Sequence, residues 1–388
     1  MILEDYFEWF SQDDNAVYWE SADRQTTLMG FGIADTCDAI DLDALKHWQA
    51  KQEVPVFGGF AFDEQIPANQ RDLLAGFIAP KVVIDCQTET FYGDVRYLAR
   101  TLQITLKELT QRQIVSEQTE TDWINRVDDV INIMKEDATK EKTVLGAQKE
   151  LTFDGPLDEA QLLIDLNHQQ KTSYHVAFKR NGTLFLSATP ERLVSVKDGQ
   201  FSTAAVAGST PRGETPALDA TLGEDLLADV KNRHEHALVV SEIVKRVTPM
   251  ADVTWSNEPI LLQTPQIQHL YTPITGHLHA NKHLLDVVKV LHPTPALGGV
   301  PQQWAMQTIA TVEDKARGLF AAPIGMIWPN GDGEFVIGIR AMVLANQTAT
   351  LFAGAGILAA SNAQQEWAEI NLKMTPMLSV MKEQINGK

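Results

Sequence analysis

Residues 323 to 353 carry three apolar runs in close succession, PIGMIW, GEFVIGIRAMVLA and TATLFA, with the turn PNGDG between the first two. Asn-Gly is a hairpin dipeptide, because both residues tolerate the positive φ needed where one antiparallel strand turns back on another. A meander of this kind commits its part of the chain to an antiparallel sheet. Short apolar and aromatic runs of the same type fill residues 16 to 105: AVYWE, TTLMGFGIA, VPVFGGFAF and KVVIDCQTETFYGDV, set apart by Asp, Gly, Asn and Pro. TVLGAQKELTF, SYHVAFKR and TLFLSATP read as further strands.

Helical spacing replaces alternation in three places. Trp123, Val127, Val130, Ile131 and Met134 recur behind a Thr121 cap and predict a helix ending near Thr139. Leu226, Val230, Ala237, Val240 and Val244 form one stripe of a long pattern from Glu224 to Val247. A last helix starts near Ser361, with Gln364 in the capping-box position, and runs to about Thr375, the residue before Pro376. Strands and helices mix freely, so the expected fold class is α+β. The polar stretch 107–121 is read as a connection between portions 1–115 and 116–388 of one structural body.

Composition removes several function classes. Hydrophobic residues make up 44% and charged residues 21%, which suits a globular core. Lys and Arg number 32 against 51 Asp and Glu, a net charge of −19 that repels nucleic-acid backbones and anionic membranes. The start MILEDYFEWF places acids where a signal peptide needs a basic and then an apolar stretch, and a cytoplasmic protein is expected. Cys37 and Cys86 stand far apart without a CxxC partner, so neither a disulfide framework nor a cysteine zinc site is expected.

The residues able to carry chemistry each admit two readings. Glu366, Glu369 and Lys373 fall within about 60° of one another around the last helix. Such a face is either solvated, with Glu369 and Lys373 as a favourable pair, or supplies carboxylates to Mg²⁺. Glu235, about 140° from Val230, leaves the apolar stripe and is either a third such carboxylate or a solvated acid. His234 and His236 diverge by about 200°, which excludes a shared zinc ion, and His234 is read as the stripe-edge core residue. LFAGAGILAAS contains GxGxxA at Gly354, Gly356 and Ala359, yet too little chain follows for the second strand of a dinucleotide fold. Its glycines let backbone N–H groups approach an anion, or form a tight turn. Glu191, after the strand-ending Pro190, sits at a sheet edge or in a surface loop. AVAGSTPRG, Ala205 to Gly213, is read as a small-residue loop whose N–H groups could cradle a carboxylate.

Taken in order, SATPERL, AVAGSTPRG, RHEHALVV, IQHLYTPITG, LHPTPALGG, APIGMIW, NGDGEFVIGIR, LFAGAGI and QEWAEINLK resemble the chorismate-utilising enzymes: isochorismate, salicylate, anthranilate and aminodeoxychorismate synthases. The blocks span about residues 140 to 375, while the first 120 residues carry only a looser similarity such as FGGFAFDE. The resemblance implies a two-layer α+β fold, with large mainly antiparallel sheets facing each other, helices outside and the active site in a cleft between halves. It implies Mg²⁺ on Glu235 and Glu369, with Glu366 close by or acting through water, holding the C1 carboxylate of chorismate. Arg340 would grip the enolpyruvyl carboxylate, assisted by the Gly354 N–H and Lys373. Gly208, Ser209, His269, Ala296, Leu297 and Ile339 would line the pocket.

KTVLGAQ is similar to the KVVLxR motif of the water-using members, with Ala147 in place of the Arg, and it puts the base at Lys142. Anthranilate-type members carry Gln there, and aminodeoxychorismate synthases carry a nucleophilic Lys in PIKGT where this chain has Ala207. The implied activity is isochorismate synthase, with Lys142 as base and Glu191 as acid. Two alternatives stay open: a salicylate synthase that goes on to eliminate pyruvate, and a chorismate-binding subunit of an ammonia-using synthase. Isochorismate can feed menaquinone or a siderophore, menaquinone being the expected use, and a monomer free of nucleic acid and membrane is expected.

Overall fold

The computed structural model describes residues 3–38, 41–63, 65–101, 109–263 and 267–385. Two compact units result: Met1–Glu191 with Pro293–Pro329 and Val336–Lys388, and Arg192–His292 with Asn330–Phe335. The expected connection at 107–121 begins, with 107 and 108, outside the described residues, and its stretch Ile114–Thr119 forms an exposed strand paired with Lys142–Phe153.

The first unit is built on a large antiparallel sheet. From one edge the strands run Gly299–Val300, Lys142–Phe153, Thr348–Ile357, Ala341–Ala345, Thr183–Thr189, Tyr174–Arg180, Ala16–Glu20, Thr27–Phe31, Val82–Asp85 and Thr90–Gly93. Ala16–Glu20, Thr27–Phe31 and Tyr174–Arg180 are buried along their whole length. That is why they read as continuous apolar and aromatic runs rather than as alternation. Glu20 among them is satisfied internally: its carboxylate accepts from Tyr18 Oη at 2.8 Å and Asn167 Nδ2 at 2.9 Å, and pairs with His175 and Arg24. A second set of strands in this unit, Pro323–Ile327, Val56–Gly59, Phe77–Ala79 and Asp35–Cys37, pairs in that order. Ile324 of this set and Phe185 of the large sheet both border Gly338.

In the second unit, Arg192–Lys197 pairs with Gln200–Pro211, and that strand pairs with Ile267–Leu278. Ala251–Trp255 and Ile260–Gln263 both add to Ile267–Leu278. The helix Val230–Val247 lies on Gln200–Pro211. Among the described residues no helix is long and apolar enough to cross a membrane.

The strand runs and the Trp123–Glu136 helix match the sequence reading, the five apolar residues of that helix all being buried. Four details differ. The stripe expected from Glu224 to Val247 is broken at Asp229, which ends Pro216–Ala228 and caps Val230–Val247 by accepting from Asn232 N at 2.7 Å. The second helix therefore turns to bury His236, Val240, Ile243 and Val247, leaving Val230 81% exposed. His236, not His234, is the core histidine, and His234 is exposed.

GEFVIGIRAMVLA is two strands, Gly333–Ile337 and Ala341–Ala345, parted by a kink at Gly338–Arg340. A Cβ on Gly338 would meet the Leu319 carbonyl at 2.4 Å, and Arg340 takes a left-handed φ of 48°. AVAGST is not a loop: it continues Gln200–Pro211 through a bulge at Gly208, whose φ is 78°. The last helix is Ala363–Val380, capped by Asn362 and running through Pro376. Pro376 cannot donate to the carbonyl of Leu372, but Leu372 is exposed, and burial of Met374, Met377 and Val380 holds the last turns.

Candidate active site

Lys142 opens the strand Lys142–Phe153 and is held along both of its neighbours. Val300 pairs with Lys142 on one side, and Ile357 pairs with Thr143 on the other. Gly299 is needed for this approach: its φ is 141°, and a Cβ there would stand 2.1 Å from the Lys142 carbonyl oxygen. Glu191 follows Thr183–Thr189 after Pro190, its N–H donating to Thr189 Oγ1 at 3.2 Å and its carbonyl accepting from Ile337 N at 3.0 Å. Burial pushes the Glu191 carboxyl up to about 7, against the pull of the nearby Lys142 ammonium. One strand start and the residue soon after one strand end thus bring a lysine and a carboxyl that holds its proton near neutral pH under each other's electrostatic influence, an arrangement able to give and take protons.

Arg340 stands in the kink, fixed by its backbone: its carbonyl accepts from Ala188 N at 3.1 Å, and the neighbouring Ile339 carbonyl accepts from Ser187 Oγ at 2.7 Å. Burial lowers the Arg340 guanidinium pKa, and Glu369 acts to raise it. Glu369 is in turn bonded to Lys373 at 2.5 Å, and Lys373 Nζ donates to the Gly354 carbonyl at 2.8 Å. Arg340, Glu369, Lys373 and Gly354 are therefore one cluster, with two cations around one exposed carboxylate. Glu366 is half-buried one turn before Glu369 on the same helix.

Leu297 is buried and Ala296 exposed in a turn where Leu297 N and Gly298 N both donate to the Thr294 carbonyl. Within either unit, among the described residues, no three His, Cys, Asp or Glu side chains stand together as a metal-binding group. The oxygen-only pair Glu366 and Glu369 does suit a hard cation that takes its remaining ligands from water and substrate.

A feature missed in the sequence lies behind the lysine strand. Arg317, 2% exposed, forms a fork with Glu313, its Nε donating to Oε2 at 2.8 Å and its Nη2 to Oε1 at 2.5 Å. Arg317 also donates to the carbonyls of Val144 at 2.7 Å and Leu297 at 3.2 Å, while Glu313 accepts from Gly146 N at 2.6 Å. The buried pair ties the Lys142 strand to the Leu297 turn. In the sequence, Glu and Arg four apart look like an ordinary surface pair, so nothing there marks them as buried.

The remaining residues singled out in the sequence belong to the second unit. Ser209 pairs in register with His269, and their side chains share a hydrogen bond of 2.7 Å from Oγ to Nδ1. Burial lowers the His269 pKa. Gly208 forms the adjacent bulge. His236 Nδ1 donates to the Ala207 carbonyl at 3.2 Å, and its Nε2 lies 2.8 Å from Thr272 Oγ1, so this histidine braces the bulge from the helix side. Glu235 points outward from the same helix, 54% exposed and 3.9 Å from Lys231.

The family described as chorismate binding enzyme matches residues 98–382. Isochorismate synthase MenF of Bacillus subtilis is 39% identical over 261 residues, 67% of this chain and 55% of that protein. Isochorismate synthase EntC of Escherichia coli is 40% identical over 246 residues, 62% of each. The aligned region thus spans between about half and two thirds of those relatives. The structure of the menaquinone-specific isochorismate synthase MenF from Escherichia coli superposes with a TM-score of 0.84 at 23% identity, covering 97% of this chain and 91% of that one, and shares the fold. With the family match covering most of the chain and the ordered motifs seated on the strands and helix just described, the chain belongs to the chorismate-binding enzymes.

Proposed function

We propose that this chain is an isochorismate synthase that converts chorismate to isochorismate with water as the nucleophile. The observation that carries the reading is the Lys142 and Glu191 pair, in which the carboxyl retains a proton up to about pH 7. Lys142, as the free amine, takes a proton from water as its oxygen bonds to C2 of chorismate. The C1=C2 and C5=C6 double bonds move to C1=C6 and C4=C5, and the C4–O bond breaks. Glu191 gives its proton to the departing hydroxyl, which leaves as water. One water enters and one leaves, and the proton gained by Lys142 balances the one lost by Glu191.

Arg340, with its planar fork, grips a substrate carboxylate, and Lys373 adds a second cation beside it. In a protein of charge −19, this local cluster is what gives a dianion a favourable place to bind. Glu366 and Glu369 would hold Mg²⁺, whose contribution is to neutralise and anchor a substrate carboxylate. The names of the relatives support the water-using reaction, and we assign the product to menaquinone biosynthesis, the destination named for the Escherichia coli structure.

Purified protein given chorismate and Mg²⁺ without ammonia is expected to yield isochorismate, identified by proton NMR, and none after EDTA treatment. Salicylate with pyruvate as the only products, or an absolute need for ammonia, would contradict the assignment. The acid role also fixes the sign of the pH dependence. Glu191 is protonated below about 7 and ionised above it, so kcat/KM is expected to fall on the alkaline side with a midpoint near that value. Stability carries the same sign. Between the ordinary carboxyl range and about 7 the folded chain keeps a proton the unfolded chain has released, so stability declines as pH rises through that window. Urea titrations at a series of pH values check this, since a Glu191→Gln variant should lose that part of the slope.

A further inference from the structure

The run LFAGAGI contains two glycines one residue apart, and the structure gives them different surroundings. A Cβ built on Gly354 would have ordinary contacts, the nearest being the Leu145 carbonyl oxygen at 3.4 Å. A Cβ on Gly356 would stand 3.1 Å from Lys142 Cε and 3.7 Å from Lys142 Nζ, and among the described residues it would meet nothing else within 4 Å. Gly356 pairs in register with Val144, so it sits beside the start of the lysine strand, and the Lys142 side chain crosses its bare Cα. The backbone of Gly356 is not in the left-handed region, so the position has no conformational need for glycine. The Lys142 backbone cannot give way, because Gly299 packs against its carbonyl and Val300 pairs with it. A methyl group on Gly356 is tight against Lys142 Cε, so it is accommodated by shifting the end of the lysine side chain, and the amine with it, by a few tenths of an ångström.

We propose that Gly356 is a positioning residue: its missing side chain is the seat that holds the Lys142 amine at its working distance from Glu191. This rests on the reading of Lys142 and Glu191 as base and acid. In Gly356→Ala and Gly356→Val the amine is displaced, and its field on the Glu191 carboxyl weakens.

The test reads that field directly. Protein labelled with ¹³C at glutamate side-chain carboxyls is titrated by NMR, the Glu191 signal being assigned from its loss in Glu191→Gln. The Glu191 midpoint is expected to move upward in Gly356→Ala and further in Gly356→Val, while an unchanged or lower midpoint in both overturns the proposal. In a Lys142→Ala background, adding Gly356→Ala is expected to move the midpoint no further, and an additional shift there also overturns it. If Gly356→Ala fails to fold, the Lys142→Ala/Gly356→Ala chain, which lacks the obstructing side chain, must fold, and its failure to do so refutes the steric argument. Turnover of Gly356→Ala should drop about tenfold or more at unchanged KM, as expected for a misplaced reacting group. Because the titration needs no turnover, its outcome is independent of whether the product is isochorismate, which the chorismate incubation decides.

Discussion

Glu191→Gln and Lys142→Ala are each expected to lower kcat by about 10²- to 10⁴-fold, the range over which a positioned acid or base contributes, while chorismate still binds. The Gln variant keeps the shape of the side chain and removes only the proton that the C4 hydroxyl needs. Its effect should therefore fall on kcat and leave the calorimetric affinity for chorismate within a few fold. Lys142→Ala removes the amine that acts as base and, with its protonated form, the positive charge that lowers the Glu191 pKa. The residual activity of this variant should accordingly depend on pH along a curve moved to the alkaline side. Near-normal kcat in either variant would mean that the pair is structural and that the proton transfers occur elsewhere.

The largest expected effect on stability belongs to Arg317. Replacing it with Met retains much of the packing over the Phe62 ring, whose centroid lies 4.1 Å from the guanidinium carbon, but leaves the Glu313 carboxylate without its charged partner. Breaking a buried pair by removing one member costs about 3–5 kcal/mol, because the surviving charge stays desolvated. The carbonyls of Val144 and Leu297 lose donors as well. Arg317→Met should thus unfold at a markedly lower urea concentration. The double variant Glu313→Leu/Arg317→Met, which leaves no unpaired charge, should recover part of the loss. A single variant as stable as the parent would show that the fork does not hold the lysine strand to the Leu297 turn.

The sequence and the structure part company where burial, rather than pattern, decides. Runs such as AVYWE and SYHVAFKR are legible as strands because β-branched and aromatic residues between turn formers have few other solutions. The kink at Gly338–Arg340 is not legible, because GEFVIGIRAMVLA reads as one mainly apolar run and the reason for the break, the Leu319 carbonyl against Gly338, comes from elsewhere in the chain. That kink orients Arg340. The apolar residues on either side of Asp229 keep an apparent helical phase across the break, and that phase puts His234 inside in place of His236.

For the site, spacing alone left each acid and the lysine with a bland alternative, and the resemblance of ordered motifs selected among them. What the structure adds is pairwise: Lys142 with Glu191, Lys373 with Glu369 and Gly354, and Ser209 with His269. Apart from Lys373 with Glu369, which lie four apart on one helix, these are contacts between residues far apart in the chain and leave no local signature. The Glu313 and Arg317 fork shows the reverse case, a local spacing that looks unremarkable and becomes structural only once it is enclosed.

Turnover of chorismate in H₂¹⁸O, with the product isolated and its mass measured, tests the central claim most directly. Addition of solvent water at C2 with loss of the C4 hydroxyl requires that isochorismate formed early in the reaction carry one ¹⁸O atom, located at its new hydroxyl. Isochorismate free of label would mean that the hydroxyl migrates within the substrate and that Lys142 does not activate water, and a nitrogen-containing or ring-aromatised product would place the chain in another branch of its family.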